Sequence, residues 1–454
     1  MQALEDAGID TPDDGTFDST NPMLWVVQNL LDSEDSPWAG RLRDFVTQMN
    51  KQLTGVNGTS LTAGGDNKTM SASVKPGVYL IIDRTATGQA AIPMLNGTGI
   101  NGMTSLKGED SETTYTLGSV EYKASTITID KVFSTGDQEK ATAQIGDTVQ
   151  YTVTTTVPNW TGYDDFDFRI DDDLSDGLTF VNVDSVMVGE TDITDDDTLW
   201  KATTPDGGND FSIVFAPDGT DKGSNLISKK DSFPVGEDVT VKYTARLDED
   251  AVIGGTGNTN SADVVYSHNP NDSSQLDTVP SEHAPNVYTG QISINKHDNE
   301  NQPLAGAKFN IQRDGTNVKF KLVSEGNYRV ADTDEQGTTE VLGTPASGLI
   351  TVTGLSGDYT IVETESPFDA PTLPSFDVNV AVNTENGETS ATLTTADRDN
   401  LATKGDGAFE FDVLNVRNLF EMPKTGATWL TIYGIGTVCL LGGAVILLRR
   451  KQQD

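Results

Sequence analysis

Two β-rich segments of this chain each combine a lysine, a carboxylate and an asparagine, three groups that together can form an amide bond. The lysines are Lys131, in TITIDKVF, and Lys296, in QISINKHD. A neutral amine is the nucleophile, an asparagine carboxamide is the electrophile, and a protonated carboxyl group moves the proton that departs with ammonia. The product is a Lys-to-Asn isopeptide cross-link. A buried, hydrogen-bonded ion pair is the alternative use of the same side chains.

Strand alternation predicts that both lysines point into a core. Successive side chains of a strand face opposite sides, so Lys131 shares a face with Ile129 and Phe133, and Lys296 shares one with Ile294. Buried lysines are rare unless they are paired, which makes two at equivalent positions informative. Burial lowers the pKa of a lysine and raises the pKa of a carboxyl group, so both partners can be neutral near neutral pH.

The same alternation selects the acids and the asparagines. The strand patterns FDFRIDDDL, YTIVETESP, NTNSADVVY and FEFDVLN place on their apolar faces Asp172 and Asn260 in the first segment, and Glu363 and Asn415 in the second. We therefore predict that Asp172 and Glu363 shuttle protons, and that Lys131 bonds to Asn260 and Lys296 to Asn415. Asp171 and Asp173 remain alternatives to Asp172, and Asn258 remains an alternative to Asn260.

The elements that must position these groups are strands. From about residue 124, alternating runs separated by Gly, Asp and Pro turns predict β-sandwiches of immunoglobulin-like character. We predict a mostly β fold, with two such sandwiches in tandem after a mixed α/β domain and with one C-terminal transmembrane helix. The predicted units are the mixed domain at 1–122, sandwiches at 123–275 and 289–420, a linker at 276–288, and a C-terminal signal at 421–454.

The C-terminus reads EMPKTGATWLTIYGIGTVCLLGGAVILLRRKQQD. Residues 429–448 carry no charge and are long enough to cross a hydrocarbon core of about 30 Å. The basic residues that follow favour the cytoplasmic side, so the preceding chain is predicted to face outward. A short polar motif precedes the apolar run and consists of Met422, Pro423, Lys424, Thr425 and Gly426.

Composition excludes several classes of function. The net charge of −39 and the pI near 4.1 argue against nucleic acid or an anionic membrane surface as a partner. The single cysteine, Cys439, lies in the apolar run, so no disulfide is expected. We expect no cofactor and no metal, because the acidic runs lack EF-hand spacing. Met1 is followed by no signal-peptide pattern, so we expect the sequence to start after an export signal or to be a fragment.

Three motifs resemble those of a known family. The C-terminal motif, apolar run and basic tip resemble the LPxTG-type cell-wall sorting signal of Gram-positive bacteria, with Met422 in place of Leu. YTIVETESP resembles the E-box of Cna type B pilin domains, whose first glutamate corresponds to Glu363. FRIDDDLSDGLTF and GNTNSADVVYSHNP are similar to the isopeptide-forming domain of fimbrial subunits. The chain thus resembles sortase-assembled major pilins of the SpaA type.

The resemblance implies a structural shaft subunit of a covalently polymerised, cell-wall-anchored pilus that serves adhesion, and not an enzyme beyond autocatalytic isopeptide formation. A sortase would cut between Thr425 and Gly426, and Lys123 in VEYKAS would be the acceptor amine. The implied partners are a class C-type sortase, a housekeeping sortase, neighbouring pilin subunits and peptidoglycan; the sequence does not identify a host ligand. A monomeric wall-anchored adhesin is the first alternative. An anchored extracellular hydrolase is the second.

Overall fold

The fold is mostly β, which confirms that part of the prediction. The computed structural model describes residues 1–12, 15, 17–30, 40–53, 55–65, 69–83, 93–99, 102–107, 114–120, 127–161, 163–204, 210–268 and 274–423. The chain forms a small N-terminal unit that is followed by two β-sandwiches. The buried apolar residues of both sandwiches form one continuous cluster, and the N-terminal unit has a separate core.

The N-terminal unit mixes short helices with two-stranded sheets. Its elements are α1 Gln2–Asp6, α2 Pro22–Asn29, α3 Arg41–Gln52, β1 Thr62–Ala63, β2 Met70–Ser71, β3 Val78–Ile81, β4 Met94–Gly97, β5 Ser105–Lys107 and β6 Thr114–Thr116. Strands β1 and β2, β3 and β4, and β5 and β6 pair as separate antiparallel ribbons. Pro22 starts α2, where its missing N–H has no helical partner to lose. Leu4, Val26 and Phe45 form the centre of the core.

The first sandwich contains the strands that sequence alternation indicates and several shorter ones. They are β7 Asp130–Phe133, β8 Lys140–Thr142, β9 Thr148–Thr156, β10 Phe168–Leu174, β11 Leu178–Val188, β12 Thr191–Asp192, β13 Trp200–Thr203, β14 Phe211–Phe215, β15 Asp238–Leu247, β16 Asn258–Ser267, β17 Leu276–Pro280 and β18 Asn286–Tyr288. One sheet has the order β13-β14-β10-β16-β18-β8, with β17 also on β16. The facing sheet has the order β12-β11-β15-β9-β7.

The stretch 276–288 belongs to this sandwich, so its prediction as a linker is wrong. Strand β17 pairs antiparallel with β16, and β18 pairs parallel with β8. The exposed positions of β17 are Leu276, Thr278 and Pro280, whereas Val287 of β18 is fully buried in the core. The exposed positions of β17 therefore do not form the regular polar face by which alternation indicates a strand.

The second sandwich contains two six-stranded sheets. Its strands are β19 Gly290–His297, β20 Lys308–Arg313, β21 Thr316–Asn317, β22 Phe320–Ser324, β23 Asn327–Val330, β24 Leu342–Gly343, β25 Leu349–Leu355, β26 Gly357–Glu365, β27 Ser375–Val382, β28 Thr389–Thr395, β29 Ala402–Lys404 and β30 Glu410–Leu414. The sheet orders are β22-β23-β25-β19-β30-β29 and β21-β20-β26-β27-β28, with β24 on β20. Strand β19 therefore lies directly beside β30, and the two run parallel.

Direct contacts join the two sandwiches. Arg313 donates to both carboxylate oxygens of Asp147 at 2.8 Å. At the turns, the N–H of Gly255 donates to the carbonyl oxygen of Gly387 at 2.9 Å. Gly387 has a φ of 70°, and a Cβ there would lie 1.9 Å from the Gly255 oxygen. Only glycine permits this approach of the two backbones.

The C-terminal prediction falls largely beyond the described part of the chain. Within the described residues, no helix combines the length and the apolar character that crossing a membrane requires. The predicted span at 429–448 and the motif residues Lys424, Thr425 and Gly426 lie outside those residues. The described chain ends in a 3-10 turn, Leu419–Glu421, followed by Met422 and Pro423.

Candidate functional site

The first site consists of Lys131, Asp172 and Asn260, which the structure brings together inside the first sandwich. Each of them has at most 3% of its surface exposed. The Lys131 Nζ donates to the two carboxylate oxygens of Asp172 at 2.8 and 2.7 Å, and also to the Asn260 Oδ1. Because β7 belongs to one sheet and β10 and β16 to the other, the lysine reaches its partners across the core.

A tyrosine that sequence analysis did not select completes this first site. The hydroxyl of Tyr243, on β15, donates to the Asp172 Oδ2 at 2.9 Å and accepts from the Asn260 Nδ2 at 2.7 Å. The Lys131 Nζ also lies 5.4 Å from the ring centroids of Tyr151 and Tyr243. The period-two pattern of VTVKYTARL indicates that Tyr243 points inward, but this pattern does not reveal what the hydroxyl contacts.

Burial shifts the protonation of the first site toward neutral groups. Loss of solvent lowers the pKa of Lys131 to about 8, although Asp172 opposes this shift. Burial also raises the pKa of Asp172 above its usual range, against the effect of Lys131. Both shifts favour an uncharged amine beside an uncharged acid.

The neighbouring candidates lie elsewhere. Asp171 faces the opposite side of β10, where it accepts from Arg169 and from Ser212. Asp173 is exposed on that same side. Asn258 is buried, but its amide donates to the backbone oxygens of residues 252 and 287 and so secures the turn before β16. In this arrangement, Asp172 and Asn260 are the acid and the amide that contact the lysine.

The second site consists of Lys296, Glu363 and Asn415, which meet inside the second sandwich. The Lys296 Nζ lies 3.3 Å from the Glu363 Oε2, and the Asn415 Nδ2 lies 3.2 Å from the same oxygen. Among the described residues, the Glu363 Oε1 and the Asn415 Oδ1 have no hydrogen-bond partner. Buried polar atoms are rarely left unpaired in folded proteins.

Burial also dominates the electrostatics of the second site. It lowers the pKa of Lys296 to about 8, with Glu363 opposing the shift. It raises the pKa of Glu363 to about 7, although Lys296 and Asn415 oppose this. Both shifts favour an uncharged amine beside an uncharged acid, as at the first site.

The two sites use different strand arrangements for the same three groups. In the first, the acid and the asparagine share a sheet and the lysine comes from the facing sheet. In the second, Lys296 on β19 neighbours Asn415 at the end of β30, and Glu363 on β26 comes from the facing sheet. A bond at the first site would connect the two sheets. A bond at the second would connect β19 to the end of β30, which are the first and last strands of the second sandwich in chain order and lie side by side in one sheet.

The remaining predicted site residues are Lys123 and the C-terminal motif at 422–426, and only part of this motif belongs to the described chain. Lys123 lies outside the described residues, as do Lys424, Thr425 and Gly426. Met422 is buried in a small cluster with Leu401 and Val416, so the chain is held against the sandwich immediately before Pro423.

A metal site is not apparent in the part of the chain that the structure describes, where no group of three or more His, Cys, Asp or Glu side chains is arranged to hold an ion. In the acidic run at 195–197, for example, Asp196 accepts from the hydroxyl and the N–H of Thr198. Such hydrogen bonds are typical of solvated turns.

Comparisons with known proteins identify the second sandwich. Residues 290–398 match the family described as SpaA, prealbumin-like fold domain. Over 275 residues, the chain is 29% identical to the trypsin-resistant surface T6 protein of Streptococcus pyogenes serotype M6. This match covers 54% of the chain and 48% of the T6 protein, so the chain spans about half the length of its curated relative.

Solved structures resemble part of the fold of this chain. The T6 backbone pilin of serotype M6 Streptococcus pyogenes, described as a modular three-domain structure, matches with a TM-score of 0.52 and 21% identity, covering 78% of this chain and 70% of that one. The full-length major pilin SpaD of Corynebacterium diphtheriae has a TM-score of 0.46 and 17% identity, covering 79% and 84%. Residues 290–398, in the second sandwich, thus match a SpaA prealbumin-like domain, and most of the chain shares the fold of the T6 backbone pilin.

Proposed function

We propose that this chain is the shaft subunit of a covalently polymerised surface pilus, stiffened by two internal Lys-to-Asn isopeptide bonds. The observation that carries the proposal is the pair of buried sites, one in each sandwich, in which a lysine with a lowered pKa contacts an acid and an asparagine amide belongs to the same buried cluster. The match to the SpaA prealbumin-like domain and the similarity to the surface T6 protein support the same role. Such a subunit is structural, and its only chemistry is performed once, on itself.

The second site supplies the groups that this chemistry needs. A neutral Lys296 attacks the Asn415 carboxamide, and a protonated Glu363, whose Oε2 lies 3.2 Å from the Asn415 Nδ2, gives its proton to this nitrogen. The nitrogen then leaves as ammonia, and the new amide nitrogen returns one proton to Glu363.

Bond formation at this second site is expected to be fastest between about pH 7 and 8. Below the pKa of about 7, the acid is protonated but the amine is charged; above the pKa of about 8, the amine is free but the acid is ionised. The check is the rate of mass loss in freshly synthesised chain at a series of pH values. A rate that rises steadily up to pH 10 would contradict a role for the protonated acid.

The C-terminal motif and the predicted anchor extend the proposal to assembly. In this proposal a class C-type sortase cuts after Thr425 and joins it to an amine of a neighbouring subunit, and a housekeeping sortase attaches the finished fibre to peptidoglycan. Lys123 is the proposed acceptor because it precedes the first sandwich in VEYKAS. The protein would then lie at the cell surface, and its precursor would be held in the membrane through residues 429–448.

Replacement of Lys123 by alanine is expected to abolish the high-mass ladder seen on a denaturing blot of cell-wall extract. Anchoring of the monomer should remain, because the motif at the C-terminus is intact. The matched control is Lys75→Ala, another lysine of the N-terminal unit, which should leave the ladder unchanged. Thr425→Ala should remove both the ladder and wall attachment.

The alternatives predict different blots. A monomeric wall-anchored adhesin would show one band in the parent and in Lys123→Ala alike. A persistent ladder in Lys123→Ala would show that another lysine is the acceptor. Wall attachment that survives Thr425→Ala would contradict the sorting proposal itself.

A further inference from the structure

The two sites differ in how the acid reaches the nitrogen that must leave. In the second site the Glu363 Oε2 lies 3.2 Å from the Asn415 Nδ2, in direct contact. In the first site the Asn260 Nδ2 donates to the Tyr243 hydroxyl at 2.7 Å, and this hydroxyl donates to Asp172 at 2.9 Å. The tyrosine oxygen thus lies between the acid and the leaving nitrogen.

We propose that Tyr243 is a catalytic proton relay for the bond between Lys131 and Asn260. This inference deepens the proposed isopeptide chemistry and rests on it. In the first sandwich Tyr243 passes the proton of the acid to the leaving nitrogen, whereas in the second sandwich Glu363 delivers its proton to that nitrogen directly. The hydroxyl touches the reacting amide, which distinguishes Tyr243 from a residue that only packs against the site.

The step balances without any further reagent. The neutral Lys131 Nζ forms a bond to the Asn260 Cγ, and the Nδ2 of the tetrahedral intermediate becomes a basic amine. Tyr243 gives its hydroxyl proton to this Nδ2 and takes a proton from Asp172. The bond from Cγ to Nδ2 then breaks, its electron pair leaves with ammonia, and the new amide nitrogen returns one proton to Asp172.

The surroundings of the hydroxyl favour this role. Tyr243 is fully buried, so water does not compete for the relay. Its ring stacks on Tyr151 at a centroid distance of 5.3 Å and contacts Phe211 at 4.9 Å, which fixes the phenol. The carboxylate of Asp172 is held by Lys131 on one side and by Tyr243 on the other. The hydrogen bond from Nδ2 to the tyrosine reverses direction only when Nδ2 becomes basic, which couples proton delivery to attack.

Tyr151 provides a matched control within the same core. It is also fully buried, and its ring lies as far from the Lys131 Nζ as the ring of Tyr243 does, at 5.4 Å. Its hydroxyl makes no hydrogen bond of normal geometry to any described residue, although the Asn260 side chain lies near enough to oppose the rise that burial causes in its pKa. Tyr243→Phe and Tyr151→Phe therefore each delete one buried hydroxyl from the same stack, but only the first deletes a link in the relay.

The experiment follows the intact mass of the full chain during cell-free synthesis, where each bond removes about 17 Da as ammonia. Tyr243→Phe should slow formation of the first bond by roughly 100-fold, the scale typical of general acid and base catalysis, and leave the second bond unchanged. Tyr151→Phe, which leaves the link between Asp172 and the Asn260 Nδ2 intact, should slow the first bond far less than Tyr243→Phe does and leave the second bond unchanged. Peptide mapping of the cross-linked pairs assigns each mass loss to its site.

Other outcomes overturn the relay or separate it from the wider proposal. Parental kinetics in Tyr243→Phe, or equal slowing in Tyr243→Phe and Tyr151→Phe, would overturn it. If Tyr243→Phe fails to fold, 3,5-difluorotyrosine at position 243 decides: a changed rate for the first bond alone supports the relay, and unchanged rates refute it. A parent chain that forms neither bond would instead refute the isopeptide proposal itself.

Discussion

An intact ectodomain with both bonds formed is expected to weigh about 34 Da less than its sequence mass, because each bond releases one ammonia of about 17 Da. Asp172→Ala should restore the mass of one ammonia and Glu363→Ala that of the other. Each substitution removes the acid but leaves the reacting lysine and asparagine. The two effects should be independent, since each site lies within its own sandwich.

Asp173→Ala is the matched control for the first site, because Asp173 adjoins Asp172 but faces away from Lys131. It should retain the full deficit. A folded parent whose mass equals its sequence mass would show that no cross-link forms and that both sites are buried ion pairs. A deficit of one ammonia that Asp172→Ala does not alter would restrict the chemistry to the second sandwich.

Asn415→Ala is expected to lower the melting temperature of the second sandwich by roughly 15–25 °C. By analogy with disulfides, closing a loop of about 100 residues contributes roughly 4–5 kcal/mol, and each kcal/mol shifts the melting of a domain of this size by several degrees. This variant keeps Lys296 paired with Glu363, so the measured loss reports mainly the missing bond. Differential scanning calorimetry of the ectodomain is the measurement.

Glu363→Ala should melt lower still, because it also leaves Lys296 buried without its carboxylate partner. Asn379→Ala, which deletes a surface hydrogen bond to Asp358 on the same sandwich, should stay within a few degrees of the parent. Equal melting of Asn415→Ala and Asn379→Ala would indicate that no covalent bond stabilises the second sandwich.

Most of what could be predicted from the sequence followed from strand alternation. It selects inward-facing residues whatever the sheet order, because the period of two is a property of the strand alone. The parity of Lys131, Asp172 and Asn260 therefore marked them as core residues before any pairing was known. A buried lysine or carboxylate needs a polar partner, so these residues were predicted to contact one another and to form a cross-link.

Strand alternation could not predict the order in which the strands pair in the sheets. Nothing in the local pattern distinguishes a lysine that crosses between sheets, as Lys131 does, from one beside its asparagine, as Lys296 is. The role of Tyr243 depends on the same long-range packing, so it could not be separated from other buried aromatics. The strands within 276–288 were missed because they are short and lack a regular apolar face, and because β18 pairs with β8, which is distant in sequence.

The parallel pairing of β19 with β30 has a mechanical consequence. Because the first and last strands run side by side in the same direction, the chain enters the second sandwich at one end of the sheet and leaves at the other. Tension along the chain therefore pulls the two strands past each other in shear and loads their hydrogen bonds together, rather than peeling them apart one at a time. This geometry resists extension of the second sandwich.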